Sequence, residues 1–185
     1  MKKIAASILI GILFTSSIVS YSKNLENELA DGIVRLHIVA DSNEKRDQEV
    51  KLKIRDEILK EMDNFTNEQE IKNNITFFEE TANRVLKENG FNYTAKAEFG
   101  VFPFPTKYYD GFALPKGDYK AIRVVLGKGE GENWWCVMFP PLCMVDAATD
   151  EQSELLKQTF GENYPVVAEG GKVKFKIRFK LAEIF

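Results

Sequence analysis

NWWCVMFPPLCMVD, residues Asn133 to Asp146, holds both tryptophans and both cysteines of this 185-residue chain, with a Pro-Pro pair between the thiols. Trp134 to Phe139 has the aromatic and aliphatic character of a strand. Pro140-Pro141 ends it, because proline has no N–H to give to a ladder. Working back, Ala121 to Leu126 (AIRVVL) reads as a second strand, and Gly127 to Asn133 (GKGEGEN) as a mobile tip that makes the two a hairpin. Strands this apolar need cover on their faces, and the rest of the chain supplies it.

Gly32 to Ala40 (GIVRLHIVA) is an apolar run broken only by Arg35 and His37 and closed by Asp41-Ser42-Asn43, the pattern of a buried strand before a helix cap. Val50, Ile54, Ile58 and Met62 then recur every four residues, with Leu52 and Leu59 beside them and charge on the other face, which predicts an amphipathic helix. Thr66 and Gln69 can form a capping box for a second helix, whose apolar stripe (Ile71, Ile75, Phe78, Ala82, Val85) ends at Asn89-Gly90. Tyr93 to Val101 alternates with period two. Pro103 to Tyr119 interrupts that strand with three prolines and turn signals at Asp110-Gly111 and Pro115 to Asp118. Thr149 and Gln152 suggest a cap for a third, shorter helix bearing Leu155, Leu156 and Phe160. At the C-terminus Val173, Phe175, Ile177, Phe179 and Leu181 alternate with Lys172, Lys174, Lys176, Arg178 and Lys180, a strand with one apolar and one basic face. The expectation is one α+β domain over residues 32–185: a mostly antiparallel sheet packed against an antiparallel helix pair plus a shorter third helix.

Ahead of it, Lys2 and Lys3 precede nineteen uncharged residues, Ile4 to Ser22, which marks residues 1–22 as a signal peptide or N-terminal membrane anchor. Residues 23–31 read as a polar tether. From Lys23 onward 23 basic side chains face 28 acidic ones, a formal charge of −5 that argues against nucleic acid as the main partner. Export implies an oxidising compartment, where two cysteines can form one disulfide.

Cys136 and Cys143 are seven apart and would point to opposite faces of a straight strand, but the prolines force a change of direction between them. A disulfide there, closing a loop of about 8 residues, would stabilise the fold by about 2.5 kcal/mol. Two buried thiols and a catalytic thiol are the alternatives. A secreted Cys-His hydrolase acting on cell wall or peptide would have to use His37, the only histidine. Zinc lacks ligands: two cysteines and one distant histidine do not make a four-ligand site. No cofactor is expected. The glycine loop, with Glu130 and Glu132, would repel a phosphate. The partner-binding candidates are exposed aromatics and prolines at Phe104, Pro105, Tyr108, Tyr109 and Phe112, the block Trp134, Trp135, Pro140 and Pro141, and the basic face at Lys174, Lys176 and Arg178.

The strings RLHIVADSNEKRDQEVKLKIRD (Arg35 to Asp56) and FPFPTKYYDGFALPKGDYKAIRVVLGKGEGENWWCVMFPPLCMVD (Phe102 to Asp146) closely resemble the stage II sporulation protein R family of endospore-forming Firmicutes. The resemblance covers nearly everything after residue 31. It implies a signalling protein made in the forespore and exported into the septal intermembrane space. There it would trigger a membrane-embedded aspartic protease of the mother cell, which removes the pro-segment of pro-sigma-E. Such a ligand needs no active site of its own. The aromatic and proline surfaces would then be its receptor contacts, with the basic strand helping at the membrane.

Overall fold

The computed structural model describes residues 2–142 and 149–168. Its centre is a mixed four-stranded sheet in the order β2-β5-β1-β6. The strands are β1 (Val34–Val39), β2 (Ala95–Phe104), β5 (Gly117–Leu126) and β6 (Asn133–Phe139). β1 runs parallel to β5 and antiparallel to β6, and β2 is antiparallel to β5. The expected hairpin of β5 with β6 is therefore corrected: β1 lies between them. Local alternation marks a strand but not its neighbour.

The connection from β5 to β6 crosses the end of β1, and it is clamped rather than free. Gly131 N–H donates to Ala40 O at 2.9 Å and Glu130 N–H to Asp41 O at 3.1 Å. Lys128 N–H donates to Asp41 Oδ1 at 2.6 Å and Glu132 N–H to Asn43 Oδ1 at 2.7 Å. The Lys51 ammonium, almost wholly buried, donates to Glu132 O at 2.9 Å. Asp41 and Asn43 thus take the amides that a phosphate cradle would offer, and the mobile tip of the sequence reading is a tied crossing.

Helices cover both faces. On β1, Val34, Leu36 and Ile38 turn to one face, where they join Ile122, Val124 and Leu126 of β5 and meet α2 (Lys45–Lys60) and α4 (Ile75–Glu88). These two helices are antiparallel: Arg46 reaches Asn89 O and Gly90 O, and Arg84 pairs with Glu57 at 3.1 Å. α4 ends in a Schellman motif at Gly90 (φ 73), with Gly90 N–H to Lys87 O and Phe91 N–H to Leu86 O. The second predicted helix is broken, however. α3 (Glu68–Asn73) and α4 meet at Asn74, which caps both. The cap of α3 is Asn67, one residue after the expected Thr66: Asn67 Oδ1 accepts from Glu70 N–H at 3.0 Å, and the Glu70 carboxylate accepts from Thr66 N–H at 2.7 Å. Asn67→Ala is expected to lower stability by about 1 kcal/mol, read as a shift of the urea midpoint.

The other face is covered by α5 (Asp150–Phe160), α6 (Tyr164–Ala168), the small hairpin of β3 (Lys107–Tyr109) and β4 (Phe112–Leu114), and the end of α1 (Lys2–Ala30). The hairpin turns at Asp110-Gly111, with Gly111 at φ 87, as the sequence signal predicts. α5 is capped by Thr149, whose hydroxyl accepts from Gln152 N–H at 3.2 Å, and Gln152 Nε2 donates to Asp110 O at 3.1 Å. α1 is long and apolar enough over Ser7–Ala30 to cross a membrane, and Ile8 to Val19 expose their large apolar side chains. The stretch read as a polar tether continues this helix, and its Leu29 is buried in the second core with Ile33, Tyr119 and Leu156. The predicted C-terminal strand lies outside the described residues.

Candidate functional site

Arg35 and His37 break an apolar run, and the alternation of β1 sends both to the face opposite α2 and α4. Register then lines up a row across the sheet: Trp135 of β6 and Arg123 of β5 flank His37, and Glu98 of β2 flanks Arg123. The His37 ring stacks on Trp135 at 5.5 Å and meets the Phe104 edge at 5.7 Å. Its Nε2 donates to Asn133 Oδ1 at 2.6 Å. From β3, Lys107 Nζ lies 3.6 Å from the Trp135 ring centre.

One row below, Arg35 is fully buried. Its guanidinium carbon lies 4.1 Å from the Phe104 ring centre and 4.8 Å from that of Tyr119, and Nη2 donates to Tyr109 Oη at 2.6 Å. Burial lowers the Arg35 pKa and pushes that of Tyr119 up to about 12. Burial also lowers the His37 pKa; the bond to Asn133 opposes this, while Arg123 and Arg35 add to it. The folded protein therefore binds fewer protons at His37 than the unfolded chain does. The stability this contributes is complete above the ordinary histidine value of 6.5 and is lost as pH falls through the lower folded value. His37→Gln is expected to flatten stability against pH below about 6.5, measured by urea unfolding at successive pH values.

The sequence candidates separate on this frame. Cys136 is registered with Leu36 and buried on the helix-pair side, whereas His37 faces the other way, so Cys136 and His37 cannot form a dyad. Trp134 and Trp135 also diverge: Trp134 packs on the first core under Arg55, 5.2 Å from its ring centre. Phe104 and Phe112, expected to be exposed, are buried because β3 and β4 fold back over this face. Tyr109 is half-buried against Arg35, and Tyr108 stands 74% exposed beside exposed Pro105. Pro140 and Pro141 are half-buried at the end of β6. Cys143, Lys174, Lys176 and Arg178 lie outside the described residues. Sequence reasoning missed Arg35, Lys107, Arg123 and Asn133. The available signal was a pair of cations, Arg35 and Arg123, each set alone in an apolar strand.

The family model described as Stage II sporulation protein R matches residues 30–149. The chain is 34% identical over 138 residues to Stage II sporulation protein R of Bacillus subtilis (strain 168), a match covering 70% of this chain and 62% of that protein. It thus spans less than two thirds of that relative's length. No solved structure matches the chain.

Proposed function

Because this chain belongs to the stage II sporulation protein R family, we propose that it is an exported signal of endospore formation that activates a mother-cell membrane aspartic protease and so causes processing of pro-sigma-E. Family membership over residues 30–149 is the observation that carries the reading. In it α1 serves as signal peptide or anchor, placing the domain in the septal intermembrane space. The chain acts as a ligand, favouring the active arrangement of the protease by binding that state more tightly. Of the aromatic and proline candidates, Pro105, Tyr108, Trp135, Pro140 and Pro141 are the contacts, with Lys174, Lys176 and Arg178 assisting at the membrane. Phe104, Tyr109 and Trp134 support that surface from beneath or from the other side of the sheet.

A disulfide between Cys136 and Cys143 belongs to this reading as a structural staple behind the surface. Thiol titration of the denatured, unreduced protein should find no free thiol; two free thiols would remove the staple. The function itself is tested by adding the exported protein to membranes that carry the protease and its precursor substrate. Processing should begin on addition and should survive prior treatment of the protein with iodoacetamide, which a thiol-dependent hydrolase would not. Absence of processing with folded wild-type protein would refute the activator role, and its loss on thiol alkylation would favour the Cys-His hydrolase.

A further inference from the structure

Arg35 is a buried cation to which the described fold gives no anion. Two of its donors, Nε and Nη1, are buried and have no partner among the described residues. Arg123, registered beside His37, also keeps a buried and unpartnered Nε, and its ion pair with exposed Glu98 is long at 3.6 Å. Lys107 rests on Trp135 and has no ion pair among the described residues. Arg35 disfavours the charged forms of both Lys107 and His37, so these groups share one field. Aromatic faces offset part of the lost hydration of a cation but do not saturate its donors. Unsatisfied buried donors of this kind are rare in folded proteins, and a nearby counter-ion is one explanation of them.

We propose that His37 and Trp135, set between Lys107 and Arg123 with Arg35 beneath, form a docking shelf for a carboxylate side chain on an extended segment of a protein partner. Charge complementarity selects the anion, since three cations lie together and among the described residues only Glu98 pairs with one of them. The rim selects a peptide. Exposed Tyr108 and Pro105 adjoin Lys107, and stiff aromatic and proline surfaces bind chain segments at low ordering cost. A lipid headgroup surface instead gathers several flexible lysines. The incoming carboxylate takes hydrogen bonds from Lys107 and Arg123, displaces Glu98 from Arg123, and supplies the counter-charge that Arg35 lacks. Only the identity of the partner rests on the activator reading; the chemistry of the shelf does not.

The test is a titration of the full chain, followed at the Trp135 indole N–H by NMR. The probes are acetyl-Ala-Leu-Glu-Leu-Ala-amide, the same peptide with Gln for Glu, and inorganic phosphate. The Glu peptide should bind about tenfold or more tighter than the Gln peptide, as charge-assisted bonds require, and more weakly at high salt. Both effects should vanish in the double variant Lys107→Gln, Arg123→Gln, with the Trp134 indole signal unmoved as the check on folding. Equal response to the two peptides overturns the proposal. So does phosphate binding as tightly as the Glu peptide, which would make the shelf a site for free anions. If the double variant loses peptide selectivity yet still starts processing, the carboxylate site stands and is not the signalling surface. If wild-type protein binds the Glu peptide but starts no processing, the activator reading alone fails.

Discussion

Gly131→Ala is expected to destabilise the protein by about 3 kcal/mol, at the upper end of overpacking costs. A Cβ at residue 131 would lie 2.2 Å from Ser42 O and 2.6 Å from Ser42 C, which are backbone atoms, and 2.9 Å from Ala40 Cβ. No side chain can swing away to make room. The loop would have to lift off the end of β1, breaking the bonds from Gly131 N–H to Ala40 O and from Glu130 N–H to Asp41 O. Gly127 is constrained differently. It has φ 54, and an added Cβ would fall on the Asp41 carboxylate, which already accepts from Lys128 N–H. The check is urea unfolding at constant slope. A loss below about 1 kcal/mol would mean that the crossing loop relaxes freely and that its bonds do not hold β6 against β1.

The second large effect runs the other way: Arg35→Met is expected to stabilise the fold by about 1–4 kcal/mol, the range seen when buried ionic groups give way to well-packed apolar ones. Arg35 gives up hydration on every side and recovers, among the described residues, one hydrogen bond and two ring contacts, with Nε and Nη1 left unsatisfied by them. Each such donor costs about 1–3 kcal/mol. Methionine fills similar space and makes favourable sulfur contacts with the Phe104 and Tyr119 rings. A gain in stability together with a loss of Glu-peptide binding would show an arginine retained for its charge. A loss above about 1 kcal/mol would instead make the ring sandwich a net stabiliser of the core.

The comparison of sequence with structure follows the range of the forces involved. β1, α2, the Gly90 terminus of α4 and the Thr149 cap of α5 were legible because periodicity and capping act within a few residues. The insertion of β1 between β5 and β6 was not, because it depends on Asp41 and Asn43 gripping a loop some ninety residues away in the chain. Asn74 was missed as a helix break because asparagine is only a weak interrupter in a periodic stripe. At the site, composition pointed to an aromatic and proline surface and placed Phe104 and Phe112 on the outside, whereas both are buried. Their burial follows from where β3 and β4 fold back, a long-range event. Arg35 was visible only as an oddity in an apolar strand; what makes it unusual is the absence of a carboxylate near it among the described residues, which only three dimensions reveal.

α1 runs unbroken from Lys2 to the buried Leu29, so a chain that keeps α1 as its anchor has no swivel on that side. A coil linker would let it tumble and present every surface in turn. A helix transmits angle: each residue inserted ahead of the docked turn rotates the domain by about 100° about the helix axis and raises it by about 1.5 Å. In the anchored form the direction in which the His37 shelf faces is therefore set by helical phase, and the spacing of α1 works as a compass bearing for the folded domain.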